Sequence, residues 1–405
     1  MNFSCPFCGG SRLEHLRNCP KVYSIINQKQ FNQKAKQDYF GASPNVFVGK
    51  FGYPNVNVGF LSNETLPEDI DDPKGWSVKK YDIPKIVDLR TALINSRFKA
   101  DVKTFDSKFL ELTQEIAQAE KPTDVEVHLD KKPFFDINLN RDITPYGPNV
   151  KLEKAELTEN PIIKKPVDRV VSDTDLKANE GINYLYSKGY DEHFLTKLIS
   201  VGTLGTKQNR KLVPTRWSIT AVDDTLGKKL ITEIKDYQEY EYALHFGGYL
   251  GNYYLIMFFP EIWSYELFET YIGNPEKINP DEIETATDYE PYAGRKEYAK
   301  DTVGGYYAAR LGILEYLKQK KRQASVLALR FITDEYYMAL GVWVVRQATR
   351  EALKSKLILF SNKQEMMENA KKIISDRFAF ASETLTNQSQ LLKNLREQSK
   401  LSKFF

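Results

Sequence analysis

Four side chains able to ligate a soft divalent metal fall within the first nineteen residues: Cys5, Cys8, His15 and Cys19. Cys5-Pro6-Phe7-Cys8-Gly9-Gly10 is a Cys-x-x-Cys followed by glycines, which let backbone amides approach thiolate sulfurs. With Cys19, and His15 four positions before it, the pair makes a Cys3His set that leaves no open position for water. That suits structural zinc in a compact knuckle over residues 1–20. A thioredoxin-like redox pair is a sharper alternative, but it would sit at a helix start after a strand, and only four residues precede Cys5. Free thiols beside an unrelated histidine are the third reading. Against it, and against a disulfide framework, no cysteine follows Cys19.

A second group has the chemistry of nucleic-acid contact. Arg210, Lys211 and Arg216 are cationic and Trp217 beside them offers a stacking face, the combination single-stranded nucleic acid requires. In the glycine-rich block Phe40 to Gly59, the side chains Ser43, Asn45, Lys50 and Tyr53 are placed to meet phosphates, although the Gly-Lys-Ser/Thr ending of a P-loop is absent. Glycines for turns and aromatics for core explain the same residues structurally. Asp223 and Asp224 follow an apolar run read as a strand, a position from which carboxylates hold a divalent cation near a phosphate; a strand-terminating turn is the plainer reading. His245 and Glu261 flank an aromatic hairpin and are candidates to join such a site. Lys318, Lys320, Lys321 and Arg322 form the densest basic run, either a solvated helix face or a contact to DNA. His128 and His193 have no local partners in sequence and are read as structural.

The segment Gln398-Ser399-Lys400-Leu401-Ser402-Lys403-Phe404-Phe405 carries a third kind of chemistry. In one tight helical turn Leu401 and Phe404 share a side, Phe405 lies beside them, and Gln398 is left to hydrogen-bond at the rim. Adjacent exposed phenylalanines are an aggregation liability unless a partner covers them. The pattern resembles the PIP box, the peptide by which replication and repair proteins dock on the DNA sliding clamp PCNA, and the resemblance implies insertion of Leu401, Phe404 and Phe405 into a pocket of that clamp. A terminal helix folded back on its own domain is the alternative.

The elements that must position these groups read as follows. A short helix is expected within Lys21 to Asp38, and strands joined by tight turns in Phe40 to Gly59. Ile86 to Phe98 and Lys103 to Ala119 have helical spacing, Val125 to Leu129 is strand-like, and residues 130–181 form a long excursion. Tyr184 to Ile199 is expected to be helical, Leu212 to Val222 a strand, and Tyr240 to Pro260 a hairpin with Gly247, Gly248 and Gly251 in its turns, followed by the buried stretch Tyr253 to Phe259. Near Glu266 the character changes to helical patterns at Ala299 to Lys318, Asp334 to Lys356 and Lys363 to Phe380. The expected fold is α+β: a zinc knuckle (1–20), a mixed α/β domain (21–265), a mainly helical C-terminal domain (266–380) and a tail bearing the clamp-binding peptide (381–405). At 405 residues and 41% hydrophobic content the chain can bury a substantial core. A formal charge of +3 permits nucleic-acid binding through local patches without demanding it. The chain has no apolar run of membrane-spanning length and no secretory pattern, so a cytoplasmic protein is expected.

Taken together, the cysteine N-terminus, the Phe40 to Gly59 block, the segment Arg210 to Asp224 and the clamp-binding tail resemble, in order and over essentially the whole chain, the Nre family of archaeal DNA-repair proteins. The resemblance implies repair of DNA damage together with PCNA, and no established reaction. Family members generally offer a fourth cysteine where His15 stands nearest here; imidazole can replace thiolate on zinc. Two functions are therefore weighed: a DNA-binding repair factor recruited by the clamp, and a metal-dependent nuclease or nucleotide-processing enzyme using Asp223 and Asp224.

Overall fold

The computed structural model describes residues 31–104, 106–134, 146–273 and 283–397. The expected knuckle, with Cys5, Cys8, His15 and Cys19, and the peptide Gln398 to Phe405 lie outside the described residues. Two compact units emerge, one running to Thr225 with Met338–Leu340 added, the other comprising Leu226–Tyr337 and the chain from Gly341 onward. No helix among the described residues is long and apolar enough to cross a membrane.

The first unit is built on five strands: β1 (Asp38–Val48), β2 (Asn55–Asn63), β3 (Ile94–Asp101), β4 (Thr123–Leu129) and β5 (Asn149–Leu157). They close into a barrel in the order β1-β2-β3-β5-β4, with β4 returning to pair with β1. Only the β3 to β5 pairing is parallel. Alternation makes the closure possible. Val56, Val58 and Phe60 of β2, Ile94 and Phe98 of β3, Val125, Val127 and Leu129 of β4, and Val150 and Leu152 of β5 all point into one buried core, as the two-residue period of a strand requires. Helices α1 (Pro73–Val78) and α2 (Ile83–Thr91) lie between β2 and β3, and α3 (Lys108–Gln118) between β3 and β4. The apolar face of α3, Leu110, Ile116 and Ala117, joins the barrel core. Helices α4 (Lys165–Ser172), α5 (Ala178–Ser187) and α6 (Glu192–Ser200) follow the barrel, then α7 (Thr215–Ile234).

Three segments of the first unit differ from the sequence reading, and one of them, 130–181, expected as a long excursion, contributes β5 and α4. The expected helix Ile86 to Phe98 ends at Thr91 and continues as β3, because Ile94, Ser96 and Phe98 alternate into the barrel. The expected strand Leu212 to Val222 is mostly helix α7. Its β-branched residues favour a strand locally, but Ser218, Val222, Leu226, Leu230 and Ile234 are all buried at four-residue spacing, and Pro214 just ahead of the first turn is compatible with a helix start.

The second unit centres on a six-stranded sheet, ordered β10-β9-β12-β8-β7-β13, from β7 (Tyr242–Tyr249), β8 (Asn252–Phe259), β9 (Ser264–Gly273), β10 (Glu284–Glu290), β12 (Ser325–Thr333) and β13 (Ile358–Phe360). Strands β6 (Gln238–Glu239) and β11 (Arg322–Gln323) form a separate short pair. The hairpin expected between Tyr240 and Pro260 is β7 and β8, but of the glycines expected in its turns Gly247 and Gly248 are paired within β7. Its turn residues Leu250 and Gly251 both have positive φ, at 53° and 70°, the geometry of a type I′ hairpin turn. Leu255, Met257 and Phe259 face Met366, Ala370, Ile374 and Phe378 of α10 (Lys363–Phe378), while the other side carries α8 (Gly305–Lys320) and α9 (Trp343–Lys354), as in the packing of Phe258 and His245 on Tyr316. Burial on both faces explains the unbroken apolar run of β8. Short helices α11 (Glu383–Gln388) and α12 (Gln390–Glu397) complete the described chain. The region expected to be mainly helical, 266–380, thus contributes most of β9 together with β10, β12 and β13; β12, buried on both faces, lacks the alternation that identifies strands in sequence.

Candidate nucleic-acid interface

The glycine-rich block and the cationic segment meet in the first unit. The β1 to β2 connection, Gly49 to Pro54, stands beside the start of α7: the amide of Val48 donates to Thr215 Oγ1 at 2.9 Å, and the rings of Tyr53 and Trp217 lie 5.6 Å apart, centroid to centroid. The connection turns tightly at Gly52, whose φ of 85° and close approach to the Asn55 carbonyl exclude a β-carbon. Three aromatic rings are thereby presented together to solvent, Phe51 at 76%, Trp217 at 48% and Tyr53 at 47% exposure. Lys50 Nζ sits 4.9 Å from the centroid of the Phe51 ring, a cation-π contact that leaves its charge outward. Lys211 and Arg216 are exposed, and neither has a carboxylate partner among the described residues. This is a surface of stacking platforms and uncompensated cations.

Arg210 is separate from it. Its guanidinium donates to the carbonyls of Gly205 (2.8 Å), Val171 (2.8 Å) and Asp173 (3.1 Å), and burial lowers its pKa; it fastens the chain between α6 and α7. Ser43 and Asn45, candidates for phosphate contact, are buried and committed within the fold. The Ser43 hydroxyl donates to the Leu61 carbonyl at 2.8 Å, and the Asn45 amide donates to Asp71. Asp71 in turn accepts from His193 Nε2 at 2.8 Å. Burial would raise the Asp71 pKa, but the charge and hydrogen bond of His193, with Arg90 and Asn45, bring it down to about 2. The same pairing overcomes burial to raise the pKa of His193. His128 is a surface residue between Asp38 and Glu153.

The carboxylates expected at a strand end are instead in the middle of α7. Asp223 is fully buried, and both it and Asp224 already interact with other groups of the protein. His245 is buried, with Nε2 2.9 Å from the Tyr316 hydroxyl and Nδ1 3.2 Å from the Ser355 carbonyl; burial lowers its pKa. Among the described residues no three His, Cys, Asp or Glu side chains are grouped as a metal site. The basic run is also partly spoken for: Lys318 pairs with Glu233 at 2.7 Å and Lys320 lies 5.4 Å from the centroid of the Tyr316 ring.

Sequence reasoning missed Phe51, which carries the most exposed ring of the connection, as well as Arg97 and Lys99 on the outer face of β3. The alternation of Ile94, Ser96 and Phe98 was the signal for a strand with those two cations outward. Helical spacing upstream masked it.

The model of the archaeal Nre N-terminal domain matches residues 13–275, and that of the archaeal Nre C-terminal domain matches residues 290–404. DNA repair protein NreA of Haloferax volcanii is 36% identical over 83% of this chain and 84% of its own length. The NreA protein of Archaeoglobus fulgidus is 35% identical over 92% of this chain and 94% of its own, and NreB of the same organism 34% over 90% and 91%. No solved structure matches the chain.

Proposed function

The chain belongs to the archaeal Nre family, and on that premise we propose that it is a DNA-repair protein that binds DNA through Lys211, Arg216 and Trp217 and is brought to its site of action by the sliding clamp PCNA through Gln398, Leu401, Phe404 and Phe405. The names of its relatives support the repair role. The observation that carries DNA binding is the meeting of Tyr53 and Trp217 between cations without acidic partners. Zinc held by Cys5, Cys8, His15 and Cys19 is the structural cofactor in this reading. A binding factor is favoured over a metal-dependent nuclease, since Asp223 is buried in mid-helix and engaged elsewhere.

The test is incubation of the purified protein with labelled single-stranded, duplex and damaged DNA, with and without Mg²⁺ or Mn²⁺. A mobility shift without cleavage, weakened by Arg216→Ala and by Trp217→Ala with unchanged thermal unfolding, is the expected result. Cleavage that requires the metal, or indifference to both substitutions, would refute it.

A further inference from the structure

The barrel extends the interface beyond the α7 start. A closed five-stranded barrel ordered β1-β2-β3-β5-β4, with a helix between β3 and β4, has the strand order of the OB fold, which uses its β2–β3 face and the loops after β1 and after β4 to hold oligonucleotides or oligosaccharides. Topology alone assigns no ligand, so the argument rests on what this barrel displays there.

Because Val46, Val48, Val58, Phe98, Val150 and Leu152 point inward, their neighbours Phe47, Gly59, Arg97 and Lys151 point outward. Register sets these four side by side across the barrel: Phe47 opposite Gly59, Gly59 opposite Arg97, Arg97 opposite Lys151, each step about 4.8 Å. Gly59 is buried and cannot carry a side chain, since a β-carbon would meet the Ser96 carbonyl oxygen at 2.3 Å, so no β2 side chain stands between Phe47 and Arg97 in this row. One pleat toward the β1–β2 connection, Asn57 stands opposite Lys99, about 6.8 Å from Arg97 along the strand. Arg97 and Lys99 have no carboxylate partner among the described residues. Toward the β1–β2 connection lie the exposed Phe51 and the Tyr53–Trp217 pair. Beside Phe47, Tyr146, 49% exposed, lies with its ring 6.2 Å away. The remaining outer surface is mixed in charge: β4 and the far part of β5 present Asp124, Glu126, Glu153 and Glu156, with Lys154 paired to Glu156 and His128 beside Glu153.

We infer that this face is a binding site for single-stranded nucleic acid, with the backbone crossing β2 and β3 over Arg97 and Lys99 and unstacked bases lying on Phe47 with Tyr146 and on Phe51. The inference rests on the DNA-binding reading above and narrows it to single strands. Aromatic platforms act on bases only when those bases are out of a duplex stack, and Arg97 and Lys99 lie in file along β3 instead of in a broad patch.

Full-length protein is titrated into fluorescein-labelled oligo-dT of about 16 nucleotides, the upper end of one barrel's reach, and into duplex of equal length, over a salt series. The variants are Arg97→Ala/Lys99→Ala, Phe51→Ala, and as a control Lys154→Ala further along β5, where Lys154 is paired with Glu156, each checked by circular dichroism and thermal unfolding. Single strands are expected to bind at least about 10-fold more tightly than duplex. The double variant lowers the salt slope by about 1.4, two phosphates at about 0.7 each. Phe51→Ala weakens binding about 5- to 150-fold, as for one lost base stack, and Lys154→Ala leaves it unchanged. Duplex bound as tightly as single strands, with the Arg97/Lys99 variant unaffected, would overturn the single-strand site while DNA binding itself stood. Loss of affinity in Lys154→Ala as large as in the double variant would also overturn it. No binding to either DNA would remove both readings.

Discussion

Replacing Asp71 by Asn should cost stability in a pH window that its surroundings define. Asp71 lies in the turn before α1 and accepts hydrogen bonds from Asn45 of β1 and His193 of α6, while Lys197, one turn further along α6, donates to the Pro44 carbonyl at 3.3 Å. The cluster therefore pins α6 and the 64–72 loop to the irregular part of β1, where register shifts between Ala42 and Asn45. Asp191, Lys197 and Arg90 are the other charged groups acting on the pair. A fall from the ordinary 3.8 to about 2 for Asp71 corresponds to about 2 kcal/mol at about 1.36 kcal/mol per pH unit. The signs follow from the two directions. The contribution of Asp71, whose pKa is lowered, is complete above its unfolded value near 4 and is lost as pH falls toward 2. That of His193, whose pKa is raised, is complete below about 6.5 and is lost as pH rises through its folded value. The Asp71→Asn penalty should thus be largest between about pH 4 and 6.5, about 2 kcal/mol or a melting shift of about 4–8 °C, and decline on both sides. Denaturant unfolding of wild type, Asp71→Asn, His193→Gln and the double variant at pH 3, 5.5 and 9 measures it. Equal penalties at pH 5.5 and 9, or additive single penalties at pH 5.5, would refute the ion pair.

Three further outcomes are expected. In the second unit, buried Glu290 accepts from Arg310 Nη1 at 2.5 Å, Trp263 Nε1 at 3.2 Å and the Tyr306 hydroxyl at 3.3 Å; Arg310→Met should destabilise by about 3–5 kcal/mol, because it leaves a buried carboxylate without its cation, and a loss below about 1 kcal/mol in denaturant unfolding would contradict this. Elemental analysis should find about one zinc per chain, lost in Cys5→Ser or Cys8→Ser and retained less tightly in His15→Ala; stoichiometric purification without metal under nonchelating conditions would count against the site. Calorimetric titration against the clamp should give a dissociation constant on the order of micromolar, abolished by Phe404→Ala with Phe405→Ala at unchanged thermal unfolding, and silence at tens of micromolar with the intact protein would end the clamp reading.

The positions of several residues of the proposed interface were legible one by one. Lys211, Arg216 and Trp217 announce charge beside an aromatic plane, and they are exposed; Lys50 and Tyr53 were placed in a turn between strands, and they are there. Arg210 has the same composition signal as Arg216, yet its guanidinium is spent on three backbone carbonyls. Nothing local separates the two, since which arginine meets carbonyls depends on where the chain near Val171 and Asp173 passes.

The sequence by itself determined the elements whose periodicity is local: the strands of the Phe40 to Gly59 block, the β7–β8 hairpin, and helices such as α10 with one apolar side. It could not determine the helical state of Thr215 to Val222, where β-branched propensity and four-residue burial conflict and packing decides. Nor could it reveal the barrel, because closure pairs β1 with β4 about ninety positions later and lays β3 parallel to β5. Only that closure sets Phe47, Gly59, Arg97 and Lys151 in one row, and only the fold brings His193 to Asp71 across 122 positions. The physical reason is the same in each case. Periodicity is read from neighbours in the chain, whereas a binding face and a buried ion pair are made by residues that meet only after distant segments share a core.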